Sequence, residues 1–246
     1  MAKSQRTKTL PRLFFDIETV GMKDVESWVP EPKIDARVKD PDKIAAQREE
    51  KIAEAVERAG LDADLGVVRL ISMQVGVTET PTILLVPSKK MPKAKASAFI
   101  KQYEPAKVLL VTETEAIVKF WGNLTMCNGC SVGYNTMGFD LPFLMRRSMD
   151  LGIQPGITPA MAKYRAEPTT DLMGLLFNWS WGENVKKLKW VAKRYGLEIL
   201  AEEVDGSMVA SMSDDELLVY GLSDLWVTVQ LYQKMNGIYF NHQQYD

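Results

Sequence analysis

The chain has 246 residues, 46% of them hydrophobic and 25% charged, with a formal net charge of −2. That composition is ordinary for a globular protein with one sizeable core, and the near-neutral charge excludes a protein that holds polyanions over its whole surface. No apolar run approaches the roughly 20 residues that span a bilayer, and the basic opening MAKSQRTKTLPR lacks the apolar segment of a secretory signal. The expectation is a cytoplasmic protein with no membrane contact, whose residues 1–11 form a flexible basic arm.

Residues 12–18, RLFFDIE, read as a buried strand that carries two acids. Side chains two apart in a strand share a face, so Asp16 and Glu18 point the same way. Two like charges side by side are costly unless a cation sits between them. Residues 22–66 read as an insertion after this strand. Its first part, VESWVPEPKIDARVKDP, carries three prolines and is irregular. Its second part sets Ile44, Ile52, Ala55, Val56 and Ala59 at helical spacing and stops at Gly60. The segments 66–77 and 82–87 are rich in β formers, and the turn at Thr78–Pro81 makes them a hairpin.

Thr112 and Glu115 form a capping box that opens a helix over 112–124. A short strand follows at 131–135. A helix over 139–152 tolerates Pro142 in its first turn. Residues 169–176 read as a short strand or a helix start. An amphipathic helix covers 184–196 and ends at Gly196. The clearest helix, 213–235, opens with a capping box of Ser213 and Glu216. Three strands followed by alternating helices and strands suggest a mixed sheet with helices on its faces, an α/β or α+β architecture, and the fold expected is α/β with a mixed five-stranded sheet. A single domain over 12–240 would hold it.

Cys127 and Cys130 form one CxxC, but a zinc site needs about four ligands. There is no second CxxC, and His242, the only histidine, lies far off near the C-terminus. The pair reads as small residues in or before a buried strand. Basic clusters occur at 89–95, Arg146–Arg147 and 186–194. Each is either a local nucleic-acid contact or a solvated face.

Four acids stand among apolar neighbours: Asp16, Glu18, Asp140 and Asp224. A surface charge is the plain alternative for Asp140 or Asp224 taken alone. Tyr220 and Asp224 are four apart on a helix and share a face, among Leu217, Leu218, Leu222, Leu225 and Val229. A carboxylate buried there calls for a partner or a metal. Hard divalent cations prefer carboxylate oxygens. Two of them can hold the attacking water and the leaving oxygen of a phosphodiester, with no histidine, serine or cysteine nucleophile.

These motifs resemble the DEDD exonuclease superfamily. Its Asp–x–Glu strand matches Asp16 and Glu18. Its Asn followed by an aromatic and Asp matches Asn135, Phe139 and Asp140. Its Tyr–x–x–x–Asp helix matches Tyr220 and Asp224, and the tyrosine indicates the tyrosine subclass. The chain is similar to predicted 3′–5′ exonucleases related to the exonuclease domain of family-B DNA polymerases, although its long insertion departs from the minimal pattern.

The resemblance implies an RNase H-like fold. It assigns Asp16, Glu18, Asp140 and Asp224 to two Mg²⁺ or Mn²⁺ ions, with Asp16 bridging both and Tyr220 holding the attacking water. It implies release of mononucleotides from the 3′ end of single-stranded DNA or a frayed end. Asn135 and Phe139 would line the terminal-nucleotide pocket. Asp171 would support the site without ligating metal, the alternative being a helix N-cap. Trp179 and Trp181, beside the basic helix, are candidate stacking surfaces or core residues. RNA is the alternative substrate. A catalytically idle nucleic-acid-binding module of the same fold and an acid-rich structural domain are the other readings. The chain stops soon after its last motif helix, so a polymerase or other replication partner would be a separate chain. Nothing in the sequence reports the oligomeric state.

Overall fold

The structure is a computed structural model and describes residues 11–180, 182, 184–203 and 206–241, with the backbone alone for residue 207. Strand β1 (Leu13–Gly21) is followed by a 3-10 turn at Val25–Ser27, helix α1 (Pro41–Glu57) and a second 3-10 turn at Ala59–Leu61. Next come β2 (Gly66–Val75), β3 (Thr82–Leu85), α2 (Lys93–Lys101), β4 (Lys107–Leu110) and α3 (Glu113–Met126). The rest of the chain supplies β5 (Ser131–Gly133), α4 (Asp140–Asp150), β6 (Thr169–Asp171), α5 (Leu172–Leu176), α6 (Leu188–Tyr195) and α7 (Asp214–Met235).

The strands form one sheet in the order β4-β3-β2-β1-β5-β6. The hairpin β2–β3 and the pair β1–β2 are antiparallel, while β3–β4, β1–β5 and β5–β6 are parallel. The fold is therefore α/β with a mixed sheet, as the element pattern predicts, but it has six strands rather than five. The added strand is β4, KVLL, which pairs Val108 with Ile83 at the edge beyond β3. Four residues are too few to display a period of two, so β4 is defined by its partner and not by its own pattern. Helix α6 also begins later than the expected 184. Lys187 is its N-cap, and the Tyr134 hydroxyl donates to the carbonyl of Lys186 just ahead of it.

Alternation along β1 divides the core. Leu13, Phe15 and Ile17 pack with Ile117, Phe120 and Leu124 of α3 and Leu141 and Leu144 of α4. Phe14 faces the other way and meets Tyr232 of α7 edge-on, with ring centroids 4.9 Å apart. Asp16 and Glu18 continue the Phe14 face by the same alternation. The pairing with β2 shifts register immediately after Glu18. Such a bulge bends and twists the strand locally.

The segment between β1 and β2 supplies no strand to the sheet. It packs on the end of β1: the Thr19 hydroxyl donates to the Gly60 carbonyl, and a Cβ on Gly60 would lie 3.1 Å from the Thr19 oxygen. Val25, Ala59 and Leu65 make a small cluster of their own, whereas α1 buries none of its residues.

Helix α7 crosses the sheet. Ser213 and Glu216 form the expected reciprocal cap. Asp214 pins that end by taking a 2.7 Å bond from Arg69 and a 3.0 Å bond from the Ser88 amide. About two turns further on, an ideal Cβ on Gly221 would lie 2.5 Å from Cδ2 of Leu70, itself fully buried. Helix and sheet thus meet there with no room for a side chain on the helix. Gly221→Ala should lower unfolding free energy by about 1–3 kcal/mol, the usual cost of overpacking. Adding Leu70→Val removes the colliding methyl and should return part of the loss. Thermal melts of the two single variants and the double check this, and additive losses would show that the contact is not the cause.

Candidate metal centre

Asp16 and Glu18 come from β1 and Asp224 from the middle of α7. One carboxylate oxygen from each lies within 4.8 Å of the others. This is the only such group of three or more potential metal ligands among the described residues. Glu18 and Asp224 are buried and Asp16 is half-buried. Among the described residues, no lysine or arginine pairs with Asp16 or Glu18.

Burial raises the Asp16 carboxyl well above the ordinary range, and the neighbouring Glu18, Asp140 and Asp224 charges raise it further. Glu18 is raised by burial and then by Asp224 and Asp140. A hydrogen bond joins Asp16 and Glu18, favouring the proton on Asp16. Without a cation the pair therefore retains a proton that isolated carboxyls would release.

Asp140 stands beside this trio rather than within it. It is the first residue of α4, where a helix N-terminus favours negative charge. Its Oδ1 accepts from the Ile17 amide at 3.1 Å, which ties α4 to β1 between the two strand acids. Burial pushes this carboxyl up to about 7, against the lowering effect of its backbone hydrogen bonds.

Tyr220 is 7% exposed, one turn before Asp224. Burial first, then the charges of Asp224, Glu18 and Asp16 and a hydrogen bond to Asp224, push its phenol far above the ordinary value. A phenol so placed, without a metal cation nearby, keeps its proton at neutral pH.

Asp171 is the helix N-cap that the sequence offers as the alternative. It caps α5 by accepting from the Gly174 amide at 2.9 Å. It also accepts from the amides of Asn135 at 3.1 Å and Met137 at 2.9 Å. The turn that leads into Asp140 is therefore held by a buried carboxylate. Asn135 adopts a left-handed φ of 62°, and its side-chain oxygen is buried with no hydrogen-bond partner among the described residues. Phe139 is half-buried, packing on the core and against Phe143 with ring centroids 5.5 Å apart.

Trp179 turns inward. Its ring lies where a Gly174 side chain would be, 2.6 Å from an ideal Cβ, and it is 9% exposed. The open aromatic beside it is Tyr164, edge-on to Trp179 at 6.0 Å. Trp181 and His242 lie outside the described residues.

Two of the basic positions serve the fold. Arg147 is buried and bonds both oxygens of Glu113 at 2.9 Å, while Arg146 bonds Asp64 of the inserted segment. In the basic helix, Lys189 places its ammonium 5.4 Å from the centre of the Tyr220 ring. Nothing in the sequence separates this lysine from its neighbours, since the contact joins two helices. Cys127 is packed in the core, where burial pushes its thiol up to about 11, and Cys130 is half-buried just ahead of β5.

Among the described residues the donor set consists of hard oxygens, gathered without sulfur or imidazole. That suits Mg²⁺ or Mn²⁺ and disfavours softer metals. Raised carboxyl pKa values also carry a sign. The folded protein holds protons that the unfolded chain releases above about pH 4. Metal-free protein therefore loses stability through these groups as pH rises from about 4 through 7. Asp16→Asn should melt higher than wild type in EDTA at pH 8 and equally at pH 4. Mn²⁺ should raise the wild-type melting temperature more at pH 8 than at pH 5, and should do little for the variant. A wild type that outlasts Asp16→Asn in EDTA at pH 8 would contradict the charge assignment.

No protein-family model matches the chain, and a search of curated proteins finds no significant match. What the site does is read from its geometry.

Proposed function

We propose that the protein is a metal-dependent 3′–5′ exonuclease of the DEDD type, tyrosine subclass, on an RNase H-like fold. The observation that carries this reading is the meeting of Asp16, Glu18 and Asp224 within 4.8 Å, with Tyr220 one helical turn before Asp224 on α7. A structural domain has no use for two buried acids and a half-buried third gathered against one another. The antiparallel β1–β3 strands followed by parallel β5 and β6 agree with the proposed fold.

Asp16, Glu18 and Asp224 would hold one ion, and Asp140, through the oxygen not bonded to Ile17, would complete the set for a second. Bound Mg²⁺ or Mn²⁺ supplies Lewis acidity to the phosphodiester and acidifies the attacking water. Tyr220, protonated and fixed on α7, would orient that water as a hydrogen-bond partner. Asn135, whose buried oxygen has no hydrogen-bond partner among the described residues, would bind the terminal nucleotide. Its turn is held by Asp171 and would not need to reorganise. The proposed substrate is a single-stranded or frayed 3′ end of DNA, shortened to nucleoside monophosphates.

The test is single-turnover digestion of 3′-end-labelled and 5′-end-labelled DNA and RNA single strands, with Mg²⁺, Mn²⁺ or EDTA. Stepwise 3′ shortening that EDTA abolishes is expected, and the DNA-to-RNA ratio reads the substrate class. Asp16→Ala should slow cleavage by at least about 10³-fold, since metal stabilisation is worth several kcal/mol. Tyr220→Phe removes one hydrogen bond to a polarised group, about 1.5–3 kcal/mol, and should slow it roughly 10–150-fold. Cleavage of a closed circular single strand, or an active Asp16→Ala protein, would sink the reading.

A further inference from the structure

Tyr220 is gripped by residues from outside its own helix. Lys189 on α6 sets its ammonium 5.4 Å from the ring centre, within cation–π range. The same ammonium donates to the carbonyls of Ala201 at 2.5 Å and Glu202 at 3.4 Å. Those carbonyls are themselves anchored. The amides of Leu200 and Ala201 both donate to the Ser223 hydroxyl at 3.1 Å, and Ser223 is fully buried between Tyr220 and Asp224 in sequence. Gln230 bonds the Glu198 amide and carbonyl, each at 3.0 Å. Residues 198–202 are therefore stitched along α7, and Lys189 is stitched to them. A solvated lysine has no such arrangement: its long side chain gives up rotamer freedom to reach this position.

Gly206 lies on the other side. Its φ is outside the left-handed region, so its backbone does not require glycine. Among the described residues, adjacent ones aside, the one atom within 4 Å of an ideal Cβ there is the Tyr220 hydroxyl oxygen, at 3.3 Å. Gly206 is itself exposed, whereas Tyr220 is buried.

We infer that Lys189 and Gly206 are positioning residues for the Tyr220 hydroxyl. The lysine fixes the ring by its charge, and the missing side chain at 206 leaves the hydroxyl free to meet water or a phosphodiester. This deepens the nuclease reading and rests on it for its activity readout.

The experiment compares Lys189→Met, Lys189→Arg and Gly206→Ala, each in wild-type and Tyr220→Phe backgrounds. Single-turnover rates at saturating single-stranded DNA are measured beside thermal melts. Lys189→Met should slow cleavage roughly 3–30-fold, the range that a partly buried cation–π contact supplies. Its KM should hold, and Lys189→Arg should regain most of the rate. Gly206→Ala should also slow the reaction. In the Tyr220→Phe background both losses should shrink to within about twofold, because no hydroxyl is left to misplace. Equal losses in both backgrounds would mean a merely structural role and overturn the inference, as would a Lys189→Met protein at wild-type rate. An inactive wild type defeats the nuclease reading, and the melts then decide the positioning claim. Gly206→Ala should cost stability that Tyr220→Phe returns, and additive losses would overturn it.

Discussion

The close approach of α7 to the sheet is the constraint on which the site depends. At Gly221 the helix meets Leu70 with no side chain of its own. That contact brings Asp224 to the face of β1 that carries Asp16 and Glu18. It also creates the electrostatic problem that the rest of the centre addresses. Like charges in a shielded place repel more strongly than in water, so the helix needs an anchor against them. Asp214, paired with Arg69 at the start of α7, supplies one. Removing one partner of such a buried pair typically costs about 3–5 kcal/mol, enough to matter in a domain of ordinary stability.

Each acid of the centre has a separate support. Asp16 and Glu18 ride on a central strand that packs on both faces. Asp140 sits at a helix start and is bonded to the strand amide between them. The turn before it is held by two amide bonds to Asp171, which also caps α5. Strand, turn and helix thus converge without sharing a flexible loop. Under the proposed exonuclease reading, this rigidity would let the acids keep their spacing when charge changes at the site.

Cations are placed just as selectively. Arg147 is used inside the fold against Glu113, which also accepts from the Val68 amide of β2. Arg146 ties α4 to the inserted segment. Lys189 goes to Tyr220 and two carbonyls rather than to the acids. A polyanionic ligand would therefore meet positive charge in patches, in keeping with a net charge of −2.

Local chemistry made much of this legible from the chain alone. The two capping boxes, the hairpin and the shared face of Asp16 and Glu18 follow from spacings of two to four residues. So does the Tyr220–Asp224 pair, because helix geometry puts residues four apart on one side. Strand β4 was not legible, because four residues acquire their state only by pairing with β3. Nor was the inward turn of Trp179, which depends on the empty side chain of Gly174. The meeting of β1 with α7, the seat of Asp140 on Ile17 and the reach of Lys189 to Tyr220 all join residues far apart in sequence. No short-range period encodes them. They were decided by how the two faces of one sheet bury their apolar residues, and the acids were carried together by that packing.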